Sequence, residues 1–388
     1  MIARAFILLV VVIVVADAYL HLRFLRHQKW WLQLLWWLPS VALIGCACWL
    51  RREPDFVPAD MTWLNIFLFC YMLIVVPKGL FALCDAIGLL LSRWWKKGRL
   101  AGLIAGIAAV VITIFVVCHG TFVGFYDFEV RHVELTFHDL PKAFDGYRIV
   151  HWSDAHVGTL TGDRKKILER AIDSINAQKA DMVVFTGDLQ NINTQEIKPH
   201  HEVLSSIKAR DGIFSVLGNH DYSVYSGADE FERYADFGRR CSLDEELGWT
   251  LLANNHHTIR RGNDHIIIAG MEHDGSGKDR DPQLGNIQLA LWGVSREEFV
   301  IMLEHDPRSW RRTILPHSHT QLTLSGHTHA MQMAFLGWSP ASLIYKEAWG
   351  LYRIGQRAIY VSKGLGGVVP FRLGAPGEIV VITLRSKK

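Results

Sequence analysis

Apolar residues follow two patterns along this chain, and the change comes near residue 126. Before it, four stretches are apolar almost without interruption and long enough to cross a bilayer as helices: residues 2–22, 31–50, 62–91 with Pro77 inside, and 100–122. After it, the apolar runs shorten to strand length. Residues 126–140 alternate apolar and polar positions (Phe128, Val130, Val133, Leu135, Phe137), which predicts an edge strand leading into a second domain. Runs at 147–152, 182–185, 213–217, 266–269, 299–303, 322–324, 358–361 and 379–383 predict further strands. Polar periodicity at 163–178, 196–209 and 229–239 predicts helices between them. The expected division is a membrane domain over 1–125 and a folded domain over 126–388, with no internal repeat.

Composition agrees with that division. A chain of 388 residues that is 50% hydrophobic holds more than one domain and too much apolar sequence for an ordinary soluble protein. The first stretch reads as a retained helix rather than a signal peptide, because no small-residue cleavage site precedes Leu20-His21-Leu22-Arg23. Arg23, Arg26 and Lys29 follow the first stretch, and Arg93, Lys96, Lys97 and Arg99 follow the third. Between the second and third lie only Arg51 and Arg52, beside Glu53, Asp55 and Asp60. Positive charge resists translocation, so the first and third loops are expected in the cytoplasm and the second domain outside it. Trp30, Trp31, Trp49, Trp63, Trp94 and Trp95 stand at stretch ends, as interfacial anchors do. A net charge of +3 is too small to imply a nucleic-acid partner. Five of the six cysteines lie in the apolar part, which argues against a disulfide framework. Asp17, Lys78, Asp85 and His119 are ionisable residues in or near the stretches; the plain expectation is that Lys78 pairs with Asp85 or snorkels, and that Asp17 faces a neighbouring helix.

The chemistry is concentrated in four blocks, each at the end of an apolar run: Asp154-Ala155-His156, Gly187-Asp188, Gly218-Asn219-His220-Asp221 and Gly326-His327-Thr328-His329. Ligands at the carboxyl ends of successive strands converge on one edge of a sheet. Carboxylate, amide and imidazole without thiolate suit Mn, Fe or Zn, and two such cations roughly 3.5 to 4 Å apart clamp a phosphoryl group for in-line displacement. Asp188, central in the order of blocks, is the candidate bridging ligand.

In these blocks the chain resembles the calcineurin-like metallophosphoesterase superfamily, especially its membrane-attached bacterial branch. The family order Asp-x-His, Gly-Asp, Gly-Asn-His-Asp, lone His, Gly-His-x-His is present throughout, with His305 in Leu303-Glu304-His305-Asp306-Pro307 matching the lone His. The likeness spans about residues 146–384 and includes the tail 360–366 with Pro370-Phe371-Arg372. It implies an α/β (α+β) four-layer β-sandwich flanked by helices, preceded by an α-helical membrane domain of four spans. By resemblance, one metal takes Asp154, His156, Asp188 and His329, and the other takes Asp188, Asn219, His305 and His327. His220 is then the non-ligand that stabilises or protonates the leaving oxygen, with Asp221 beside it as its orienter. Ala330-Met331-Gln332 stands where many relatives have Gly-Gly-Gln, so the loop there is expected to be shaped differently. His151, His273, His317 and His319 read as structural or solvent-facing, and His200, His201, His256 and His257 as loop or helix-surface residues.

The reading that follows is a dinuclear-metal phosphoesterase in a bacterial inner membrane, acting on a phosphorylated, lipid-linked or envelope-related substrate. Four spans are an expensive way to tether an enzyme for a freely diffusing one. The competing reading is a non-enzymatic transporter-like or scaffold protein that keeps the domain for binding, and the complete ligand set with His220 argues against it.

Overall fold

The computed structural model describes residues 2–52, 61–277 and 281–387. Glu53, Asp55 and Asp60 lie outside the described residues. The chain divides into two compact units, Met1–Phe122 and Val123–Lys388.

The first unit holds helices α1 (Ile2–Leu20), α2 (Trp30–Leu50), α3 (Met61–Leu91) and α4 (Gly98–Phe122), all long and apolar enough to cross a membrane. A π-helical turn, His21–Leu25, carries the first span past residue 22 and takes Arg23 with it. Helices α3 and α4 approach so closely that a Cβ on Gly88 would stand 2.6 Å from the Gly102 Cα, the small-residue contact by which helices associate in lipid. Lys78 does not pair with Asp85. Seven residues of helix separate them by roughly 10 Å along the axis, and Lys78 instead reaches Asp17 on α1 at 2.7 Å. Asp85 accepts from Tyr19 at 2.7 Å and Arg23 at 3.2 Å, so each buried acid is met from another helical segment.

The second unit contains two six-stranded sheets. Its strands are β1 (Phe128–Phe137), β2 (Arg148–Trp152), β3 (Met182–Phe185), β4 (Ile213–Ser215), β5 (Thr250–Leu251), β6 (Asn255–Arg261), β7 (Asp264–Gly270), β8 (Val300–Leu303), β9 (Leu322–Ser325), β10 (Gly350–Ile354), β11 (Arg357–Val361) and β12 (Gly377–Ser386). One sheet runs β1-β12-β2-β3-β4-β5 and the other β10-β11-β9-β8-β7-β6, with β1 at an edge as expected. Strands β2 to β4 are mutually parallel, as are β7 to β9. Ile149, Val184, Ile268, Leu303 and Leu324 pack between the sheets. Val150, Trp152 and Phe185 point the other way, against α5 (Lys165–Ala177) and its stripe Ile167, Leu168, Ala171, Ile172 and Ile175. Burial on both faces is why these strands read as unbroken apolar runs. Trp310 and Ile314 cover the outer face of the second sheet, completing four layers.

The helix expected over 196–209 is only α6 (His201–Ser205), after two 3-10 turns. Pro199 lacks a backbone donor, and Glu196 turns inward to accept from the Asn191 amide at 2.6 Å. Helix α7 (Glu230–Glu246), capped by Asp229 on the Glu232 amide, outruns its expected end. His256 and His257 belong to the edge strand β6, not to a loop or helix, and His200 is buried.

Candidate metal centre

The carboxyl ends of β2, β3, β4, β8 and β9 meet at one place. The Asp154 amide donates to the Gly187 carbonyl at 2.9 Å and the His156 amide to the Asp188 carbonyl at 3.1 Å, tying the first two loops together. The His327 amide donates to Asp154 Oδ1 at 3.0 Å, tying one sheet's loops to the other's. At Gly218 a side chain has no room, because a Cβ would overlap the Asp188 carboxylate. Asp154, His156, Asp188, His327 and His329 all hold left-handed backbone, with φ from +45° to +71°. Such conformations are costly for residues with a Cβ, persist where surrounding structure imposes them, and cluster at functional sites.

Two groups of ligand atoms result. Asp154, His156, Asp188 and His329 each bring one atom within 4.8 Å of the others, and so do Asp188, His305 and His327, with Asp188 common to both. Asn219 Oδ1 lies 3.0 Å from His327 Nδ1, at the edge of the second group. The donor set suits a cation better than hydrogen bonding among its own members. His305 Nδ1 is 2.6 Å from the Thr186 carbonyl, so that nitrogen carries the proton. A neutral His305 would then turn its Nε2 lone pair on Asp188 Oδ2, 3.2 Å away. Likewise two imidazole nitrogens, His156 Nε2 and His329 Nε2, face each other at 3.2 Å.

The electrostatics agree. Burial lowers His156 to about 3, helped by His220, and lowers His327 to about 4, so both rings are neutral and able to ligate. Burial disfavours charge on Asp154 and Asp188, yet His329 beside the first and His305 beside the second outweigh it, holding both carboxyls well below their usual range. Asp188 in turn holds His305 well above the usual imidazole range in spite of burial. The pair favours a positive charge between its members, which a proton on His305 or a divalent cation can supply.

His220 belongs to neither group. Its ring stacks on Tyr225 with centroids 4.4 Å apart, and its Nδ1 is 2.6 Å from the Asn191 carbonyl. Asp221 is therefore not the orienter of this ring. Both its oxygens serve the neighbouring loop, accepting from the amides of Asp188 at 2.8 Å, Leu189 at 3.1 Å and Gly218 at 2.9 Å. Buried Arg240 donates to Asp221 at 3.0 Å and to Asp244 at 2.8 Å.

Sequence reasoning missed this supporting shell. Asn191, Glu196, Arg240 and Arg372 sit in no recognisable block, and the only signal for the last was the tail 360–372. Arg372, buried, donates to the carbonyls of Lys363, Gly364 and Gly366, while the Leu365 and Gly366 amides donate to the carbonyls of Ser153 and Asp154. Buried His151 bonds Thr186 Oγ1 at 2.8 Å, one residue role removed from His305. Buried His273 is grouped with partly exposed Asp281 and buried Asp306, where Arg308 already supplies the positive charge. His317 and His319 lie outside the groups. Ala330, Met331 and Gln332 hold left-handed backbone, with φ of +50°, +48° and +55°, although none is glycine.

Buried imidazole and carboxylate groups that share one aspartate, on joined ends of parallel strands, fit a dinuclear hydrolase. Residues 147–331 match the family model for calcineurin-like phosphoesterase. An uncharacterized metallophosphoesterase of Bacillus subtilis is 32% identical over 66% of this chain and 87% of its own length. One from Campylobacter jejuni is 27% identical over 96% of both chains. A zebrafish transmembrane protein with metallophosphoesterase domain is 28% identical over 85% of this chain and 75% of its own. The chain belongs to the calcineurin-like metallophosphoesterase family. It is a metal-dependent phosphoesterase, and the four helices among the described residues that are long and apolar enough to cross a membrane mark it as a membrane protein.

Proposed function

We propose that the protein hydrolyses a lipid-linked or envelope-related phosphoester or pyrophosphate at a dinuclear centre. Asp154, His156, Asp188 and His329 would hold one cation, and Asp188, Asn219, His305 and His327 the other. Asp154, His156, Asp188, Asn219, His305, His327, His329, His220 and Asp221 thus form the working site, with Mn, Fe or Zn suited to its oxygen and nitrogen donors. The single observation that carries this reading is the sharing of Asp188 between two ligand groups.

When bound, the cations supply Lewis acidity and neutralise charge that develops on the phosphoryl oxygens. Asp188 serves both groups, and its Oδ1 also accepts from the His220 amide at 2.9 Å. His220, its Nδ1 proton given to the Asn191 carbonyl, has Nε2 left to exchange a proton with the leaving oxygen. Asp221, fully buried, holds the backbone of residues 188, 189 and 218 in place. The positive charges after the first and third spans support an extracytoplasmic location for the domain in the inner membrane.

Purified full-length protein with added Mn tests the reading on bis-p-nitrophenyl phosphate and p-nitrophenyl phosphate. Metal-dependent release of p-nitrophenol supports it, and the ratio of the two rates separates diester from monoester preference. No release with Mn, Fe or Zn would count against it.

A further inference from the structure

Directly after the last site histidine, the chain turns apolar on the surface. No Asp, Glu, Lys or Arg occurs from Ala330 to Tyr345. Phe335, Trp338 and Ile344 are exposed there, with Leu336 90% and Leu343 78% accessible. A surface loop of this composition is unusual, because contiguous exposed apolar area on a soluble face marks a protein or membrane contact.

The segment is also well built. The Phe335 amide donates to the Trp338 carbonyl at 2.8 Å and the Trp338 amide returns to Phe335 at 3.0 Å, closing a two-residue turn. Both turn residues, Leu336 and Gly337, are left-handed, with φ of +48° and +81°. Turns of this kind prefer Asn-Gly, so a leucine at the tip is not there for the backbone's sake. The base is fixed by the Ala334 amide on the Leu373 carbonyl at 2.9 Å and by Ser339 on the Ala330 carbonyl at 2.5 Å, with Ala341 buried beneath. The hairpin leaves the metal centre at His329 and returns to it at Tyr345, whose ring lies 5.8 Å from that of His327.

We propose that this hairpin dips into the lipid–water interface, so that the adjacent metal centre receives phosphate groups carried by membrane lipids; the substrate half of the proposal rests on the phosphoesterase reading above. A bilayer is the apolar partner the chain itself brings, since only residues 123–127 separate α4 from β1 in sequence. Phenylalanine, tryptophan and leucine around an uncharged tip are the residues that partition into that interface.

The test uses the full chain with its six native cysteines replaced and a single new cysteine carrying an NBD fluorophore. Leu336→Cys probes the tip, Leu343→Cys gives a second exposed site in the same uncharged segment, and Lys142→Cys is the control, on an exposed turn before the amino end of β2. In vesicles of phosphatidylcholine and phosphatidylglycerol, shallow doxyl-labelled lipid should quench the two hairpin labels several-fold more than the control. Equal quenching at all three sites, or none at the hairpin, would overturn the proposal; a hairpin covered by a second copy of the chain would give the latter. Hydrolysis of bis-p-nitrophenyl phosphate is read on the same vesicles. Quenching without hydrolysis supports the docking and contradicts the phosphoesterase reading. Hydrolysis without quenching overturns the docking and leaves that reading standing.

Discussion

His220 Nδ1 stands 2.6 Å from the carbonyl oxygen of Asn191, and that one contact sets which nitrogen of the ring is free. A carbonyl accepts only, so Nδ1 carries the proton and Nε2 is the basic atom. His220→Ala should therefore leave both cations bound and lower kcat by on the order of 10² to 10⁴, the usual contribution of a positioned acid or base. Metal content by mass spectrometry beside kcat checks this. Loss of metal in parallel with activity would make His220 a ligand.

Arg240 is fully buried between Asp221 and Asp244. Removing the guanidinium leaves two buried carboxylates without a counter-charge, which costs about 3–5 kcal/mol. Arg240→Met should lower Tm by on the order of 10 °C in a thermal-shift measurement on the detergent-solubilised chain. An unchanged Tm would show that Asp221 holds the Gly218 loop without help.

Glu196 gives a pH signature. Burial raises its carboxyl to about 7 from the ordinary 4.5, against the Asn191 and Ile192 amides that favour the charged form. A group whose folded pKa lies above its unfolded value binds its proton more tightly in the fold, so its contribution to stability falls as pH rises from about 4.5 to about 7. The Tm of wild type minus that of Glu196→Gln should decline across this window. A flat difference would mean the carboxyl ionises as freely in the fold as out of it.

Topology is tested by fusions. Seven basic residues in or beside the first and third loops oppose two in the second loop, and charge near span ends sets orientation even where Arg23 lies within the π turn. Alkaline phosphatase after Lys388 should be active and after Gly98 silent. The reverse would place the metal centre in the cytoplasm, with nucleotide-linked lipid precursors as the substrates to test.

What was legible in the sequence follows from how locally each feature is encoded. Val183 and Val184 face opposite layers, so β3 shows as a run whatever surrounds it. Strand β6 shows nothing of the kind, because it is an edge strand on which only Ile259 is buried. The helix expected over 196–209 shrinks to α6, because polar periodicity hides the inward turn of Glu196. At the site, the residues that converge on Asp188 stand in short recognisable blocks, whereas their supports act from a distance. Arg240 sits 19 residues from Asp221 and Asn191 sits 29 from His220, with nothing in the intervening sequence to pair them. Ala330 and Met331 are left-handed although neither is glycine, a conformation that surrounding structure must impose and that the sequence alone does not show.

Metal stoichiometry of three purified full-length proteins bears most directly on the shared role of Asp188. Wild type should bind two divalent cations per chain, His305→Ala about one, and Asp188→Asn fewer than one with hydrolysis of bis-p-nitrophenyl phosphate abolished. Two cations retained by Asp188→Asn, or a wild type that binds one and hydrolyses the diester as well as when fully loaded, would contradict a dinuclear centre joined by that aspartate.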